Sequence, residues 1–187
     1  MSTSRWQGVV VALLVAVACQ SAGSDGGGDS SREVVTGGGG QMRGVMGGGA
    51  VWISATPSRE DLDLARRRGI KAAIDVSTPD EAEGQEVASA CAELGIEYVT
   101  MHCDNRDRVC DELVDRVLSE LRQRSHEAVL LFSGDSSRAA MLLAIHRIVD
   151  EKLPIDRALI EARRAGMKPG HPEIFVRSQV VRLEPHP

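Results

Sequence analysis

The chain has 187 residues, with 27 acidic against 22 basic side chains and a formal net charge of −5. That length suits one domain with extensions and not two full domains. The acidic balance argues against a dedicated nucleic-acid binder, which carries a basic excess, and 3 % aromatic residues leave little for stacking bases or sugars. Twelve of the 19 glycines fall between Gly23 and Gly49, and only six follow residue 49. A segment this glycine-rich has few side chains to bury and much chain entropy to lose, so the expectation is a disordered tether over 19–49. Residues 50–187 have ordinary globular composition and single-domain size.

The amino terminus reads as an address. Residues 1–7 carry one positive charge, Arg5, and residues 9–18 are an unbroken apolar run, too short for a stable span but suited to a secretory signal over 1–18. Ala16-Val17-Ala18-Cys19 follows, and the stretch beyond it is rich in Ser, Gly and Asp, as a flexible tether is. These residues resemble the lipobox of bacterial lipoproteins, although leucine is commoner there than Ala16. The resemblance implies that Cys19 is lipidated and becomes the mature amino terminus, anchoring the protein on the periplasmic face of a bacterial membrane. Gln20, in place of an inner-membrane retention aspartate, favours the outer membrane. The alternative is an ordinary cleaved signal with Cys19 incidental.

From residue 50 short apolar runs alternate with helical patterns. Val51-Trp52-Ile53 reads as a strand. Ser58, with Asp61 three residues on, caps a helix that Gly69 ends, and a second strand covers 72–76. Thr78-Pro79-Asp80-Glu81 opens a helix that stops at Gly95. A third strand covers 96–101. Leu113, Val114, Val117, Leu118 and Leu121 lie at helical spacing in 111–124. Residues 128–132 form a continuous apolar strand, as at the centre of a parallel sheet, and 138–149 form a buried helix. Pro154 opens a helix ending at Gly166, and another follows Pro172. Strands alternating with helices predict an α/β fold with a mainly parallel four-stranded sheet covered on both faces. Ligands in such folds bind at the carboxyl ends of the strands, so the loops after Phe132 and His102 are the candidates.

The first loop is Ser133-Gly134-Asp135-Ser136-Ser137-Arg138. A small-residue loop between a buried strand and a helix makes an anion cradle: successive N–H groups converge, the helix terminus adds positive charge, and Arg138 can donate two parallel hydrogen bonds to phosphate. The other reading of the same residues is a plain turn whose arginine pairs with a carboxylate.

Four segments, in their order and spacing, carry a resemblance over roughly residues 50–170: Ser54-Ala-Thr-Pro-Ser58-Arg-Glu-Asp-Leu62, Gly69-Ile-Lys-Ala-Ala-Ile-Asp75-Val76, Gly95-Ile-Glu-Tyr98-Val99 and Ala158-Leu-Ile-Glu-Ala162-Arg-Arg-Ala-Gly166-Met167. They resemble the beta-lactamase hydrolase-like protein phosphatases, a bacterial branch of the cysteine-dependent dual-specificity and tyrosine phosphatase superfamily. The resemblance implies a three-layer αβα phosphatase-like fold. In that family the strand ends in His-Cys and a Cys-x4-Arg loop follows. Phe132 then stands at the histidine position, Ser133 at the nucleophilic cysteine and Arg138 at the arginine.

The departures decide the expected chemistry. A thiol near pKa 8.5 is brought to thiolate by such a loop, whereas a serine hydroxyl is far more basic and needs a general base. No histidine lies beside the loop, and His146 is about two turns down the next helix. The family's loop glycine is replaced by Ser136, with glycine shifted to Gly134. The expectation is a pseudophosphatase that holds a phosphate-bearing small molecule or a phosphoprotein through Ser133, Gly134, Asp135, Ser136, Ser137 and Arg138, with Ser133 a degenerate nucleophile. One alternative is an active phosphatase using Ser133 or Cys103; another is a lipoprotein scaffold whose loop binds nothing.

The second loop, His102-Cys103-Asp104-Asn105-Arg106-Asp107-Arg108, also reads as His-Cys-x4-Arg. It lacks glycine, and its aspartates, with Asp111 and Glu112 behind them, would repel a dianion and raise the thiol pKa. By the resemblance this loop carries the general acid, so Asp104 or Asp107 is the candidate. Cys103 and Cys110 could close a small loop, and Cys91 reads as core. No metal is expected, because His102, Cys103 and Cys110 lack a fourth ligand at recognisable spacing; no cofactor is implied either. Arg66-Arg67-Arg68 reads as a solvated charge run at a helix end.

Overall fold

The computed structural model describes residues 35–36, 43–46, 50–79, 84–103 and 109–184, all within the unit Ser31–Pro187. The expected signal (1–18), Cys19, Asp104 and Asp107 lie outside the described residues. Among the described residues no helix is long and apolar enough to cross a membrane.

Six strands and six helices are described, and the expected elements of the globular part reappear with small shifts at their ends, except that α2 is described only from Gly84 and its expected opening at 78–81 lies partly outside the described residues. The strands are β1 (Val35–Thr36), β2 (Arg43–Met46), β3 (Ala50–Ser54), β4 (Ile70–Asp75), β5 (Glu97–Thr100) and β6 (Ala128–Phe132). The helices are α1 (Arg59–Arg67), α2 (Gly84–Leu94), α3 (Asp111–Gln123), α4 (Ser137–Val149), α5 (Ile155–Ala165) and α6 (His171–Leu183). The capping box at α1 forms in full: Ser58 Oγ accepts the Asp61 N–H, and the Asp61 carboxylate accepts the Ser58 N–H. Gly69, Gly95 and Gly166 leave their helices with φ of 79°, 67° and 117°, the left-handed backbone that glycine adopts without steric cost.

The sheet order is β1-β2-β3-β6-β4-β5. The last four strands are parallel, as expected, and β6 sits between β3 and β4. Residues 35–36 and 43–46 differ from the sequence reading, which placed all of 19–49 in a disordered tether. They form two short antiparallel strands, with Val45 opposite Val51. The physical reason is the sheet edge. Without them β3 would present a row of unpaired N–H and C=O groups, and backbone pairing can cover such an edge without large side chains. Flanking glycines hide short segments of this kind from a composition argument.

Alternation along the strands divides the core. Trp52, Ala73, Leu130 and Phe132 face α1 and α2, packing with Leu62, Val87, Cys91 and Leu94. Val51, Ile53, Ile74, Val129 and Leu131 face the other way, onto α3, α4, α5 and α6. This is the three-layer αβα arrangement. Helix α4 is buried almost all round, as its continuous apolar sequence requires. Arg147, 2 % exposed, bonds Glu161 from inside this layer at 3.1 Å and ties α4 to α5. Arg68 departs from the expected solvated run, since its guanidinium lies 4.5 Å from the centre of the Trp52 ring and shields it from water.

Candidate phosphate-binding loop

The parallel register aligns Ser54, Phe132, Asp75 and Thr100 at the carboxyl edge of the sheet. Both candidate loops leave from that edge. At its centre β6 ends and the chain turns into α4 within four residues. The Ser136 N–H donates to the Ser133 carbonyl at 3.1 Å, closing a turn. Ser136 itself has φ 63° and ψ −15°. This left-handed backbone costs a non-glycine residue about 1–2 kcal/mol. Glycine would adopt this backbone without that cost.

The first N–H groups of α4 have no helical acceptor and need other oxygens. Two find them within the loop. The Ala139 N–H donates to Ser133 Oγ at 3.2 Å, and the Ser137 N–H donates to Asp135 Oδ1 at 3.0 Å. The two amides thus go to separate oxygens of the chain itself, the Ser133 hydroxyl and the Asp135 carboxylate. Ser133 is 1 % exposed. Among the described residues no histidine or carboxylate hydrogen-bonds its hydroxyl. His146 is held at the far end of α4, with Nδ1 2.8 Å from Asp150 Oδ2. It lines a cavity of about 300 Å³ at the amino ends of β3 and β6. A serine so placed is bound as an acceptor, and a serine hydroxyl needs a general base to become a nucleophile.

Arg138 reaches across the edge. Its Nη1 donates to the Val76 carbonyl at 3.0 Å, while the Val76 N–H donates to the Phe132 carbonyl at 2.9 Å. The loop after β4 is fixed from below by Asp75, which sequence reasoning passed over. This buried carboxylate accepts the Ser77 N–H at 2.8 Å and the Tyr98 hydroxyl at 2.7 Å. Burial, and then the Asp75 carboxylate, hold the Tyr98 phenol well above its ordinary range, so it stays a donor. His102 lies on the same segment, with Nδ1 2.6 Å from the Ser77 carbonyl, a geometry that requires Nδ1 to carry the proton.

Asp135 has a cation beside it that the sequence did not announce. Lys168, in the α5–α6 connection, places Nζ 2.6 Å from Asp135 Oδ2. Its backbone N–H donates to Ser137 Oγ at 3.1 Å. Burial alone would raise the Asp135 carboxyl, but Lys168, the Ser137 N–H and the charge of Arg138 outweigh it and hold the carboxyl below its usual value.

The second loop cannot supply the alternative nucleophile in this form. Cys103 is bonded to Cys110 across a Cα separation of 6.1 Å, so Cys103 carries no thiol. Among the described residues Cys91 is the free cysteine; it is buried, and burial pushes its thiol up to about 11, where it stays protonated and inert. Among the described residues no group of three or more His, Cys, Asp or Glu side chains is placed to hold a metal ion.

The fold has counterparts among solved structures. The chain superposes on Tk-PTP with a TM-score of 0.59 at 18 % identity, covering 73 % of this chain and 93 % of that one. The fold is that of the tyrosine and dual-specificity phosphatases. Kinase associated phosphatase, solved with its catalytic-site cysteine substituted by serine, matches with a TM-score of 0.61 at 13 % identity over 73 % of this chain and 89 % of that chain. A cysteine-to-serine form of TpbA from P. aeruginosa, solved in complex with pTyr, matches with a TM-score of 0.53 at 18 % identity over 75 % and 90 %. No sequence-family model and no curated protein matches the chain.

Proposed function

We propose that this phosphatase-fold domain binds a phosphate monoester, on a small molecule or a phosphoprotein, at the 133–138 loop without hydrolysing it. We further propose that it works at a bacterial membrane surface to which lipidated Cys19 tethers it. The observation that carries the reading is Ser133: it stands where the resembling family has its nucleophilic cysteine, it is buried, and its Oγ accepts the Ala139 N–H. TpbA, of similar fold, holds pTyr in a form with a cysteine replaced by serine, which supports binding without a thiol. The Cys103–Cys110 bond argues against a residual enzyme built on Cys103.

Calorimetric titration of the full chain with inorganic phosphate and vanadate tests the loop. The natural chain is expected to bind both, and Arg138→Ala to weaken binding about tenfold or more, because a charge-assisted pair is lost. Absence of binding by either protein would instead favour the scaffold reading. In the same preparations, the natural chain is expected in the membrane fraction and Cys19→Ser outside it.

A further inference from the structure

The loop that is proposed to take a phosphate already holds an anion, and that anion is Asp135. Two groups suited to phosphate contact this carboxylate. The Ser137 N–H at the start of α4 lies 3.0 Å from Oδ1 and Lys168 Nζ lies 2.6 Å from Oδ2, while Arg138, the second residue of α4, adds its positive charge to the same end of the helix. An amide at a helix terminus and an ammonium on one oxyanion is an arrangement that suits phosphate.

Lys168 is not there by side-chain chance. The α5–α6 connection is bolted to the loop at two backbone points. The Lys168 N–H donates to Ser137 Oγ, and Gly166 packs against Ser136 so closely that a Cβ there would lie 2.2 Å from Ser136 Oγ. The Lys168 backbone is therefore fixed beside the loop, which keeps its side chain within reach of the rim. The pair itself is open to water, with side-chain exposures of 69 % for Lys168 and 50 % for Asp135. An ion pair this exposed is held weakly and can exchange partners.

Charge identifies the ligand class. With Asp135 in place, Asp135, Lys168 and Arg138 sum to one positive charge. With it displaced, Lys168 and Arg138 present two, matching a phosphate monoester of charge about −1.5 to −2 at neutral pH. A diester or a carboxylate, each with a single negative charge, gains less from the exchange.

We propose that Asp135 is an internal stand-in for the ligand's phosphate, and that a phosphate monoester binds by displacing its carboxylate and taking over Lys168 and the Ser137 N–H. This rests on the phosphate-binding reading of the loop. Asp135 then sets a threshold: weakly charged anions are rejected, and dianions enter against a resident competitor.

Asp135→Asn separates the charge from the cap, because the amide oxygen still accepts the Ser137 N–H and the turn is kept. The full chain, uniformly labelled with nitrogen-15, is titrated with inorganic phosphate while the Ser137 and Lys168 amides are followed. Asp135→Asn, and Asp135→Ser as a second capping variant, are expected to bind phosphate about tenfold or more tightly than the natural chain. Adding Lys168→Met to Asp135→Asn is expected to lose most of that gain. If Asp135→Asn binds phosphate no more tightly than the natural chain, the stand-in is overturned while the site stands. If neither protein binds phosphate at all, the site and the stand-in fall together.

Discussion

The full chain carrying Ser133→Cys, Asp135→Asn and Ser136→Gly is expected to release phosphate from an aryl phosphate about a hundredfold or more faster than the natural chain. Each change removes a defect that the loop shows. A cysteine at position 133 supplies a group whose pKa starts near 8.5 and falls beside a helix terminus and Arg138, whereas the serine hydroxyl cannot be ionised there. Asp135 puts a negative charge against both the thiolate and the incoming dianion, and the asparagine removes it while still capping Ser137. Glycine at 136 fits the φ of 63° that serine adopts at a cost. Ser133→Cys alone is expected to fall well short of the triple variant. A triple variant as inert as the natural chain would mean that the loop lacks more than these three groups.

Phe132→Ala is expected to lower the stability of the domain by about 3–5 kcal/mol, measured by urea unfolding, which is a large part of the 5–15 kcal/mol typical of a domain. Phe132 is among the largest fully buried side chains, at 1 % exposure. It packs with Trp52, Leu62 and Leu130 under α1 and α2, and its ring centre lies 6.5 Å from that of Tyr98. The position serves the core, and a loss under about 1 kcal/mol would show that the ring is not packed as described.

The sequence made most of the fold legible because its signals are local. Ser58 with Asp61, and the glycines at 69, 95 and 166, mark helix ends by chemistry that acts within a turn. Residues 128–132 announce a buried central strand by being apolar without a break. What stayed hidden depends on distant partners. Strands β1 and β2 exist by pairing with β3, and glycine-rich composition gives no sign of that edge. Lys168 reaches Asp135 across 33 positions of chain, through the placement of α5 against α4. No spacing rule connects them, so Asp135 read as one member of a loop and Lys168 was not singled out. Asp75 was visible only as part of a segment; its role depends on Tyr98 arriving from β5. The acceptor role of the Ser133 hydroxyl was hidden as well, because it depends on where α4 begins.

The central claim is a phosphatase fold that binds a phosphate monoester and does not turn it over. Its most direct test is a phosphorus-31 spectrum of phosphotyrosine held with a stoichiometric amount of the full chain at neutral pH for a day, beside Arg138→Ala and Ser133→Ala. The expected result is a phosphotyrosine resonance shifted or broadened by the natural chain, less so by Arg138→Ala, with no growth of inorganic phosphate in any sample. Growth of inorganic phosphate with the natural chain that disappears in Ser133→Ala would contradict it.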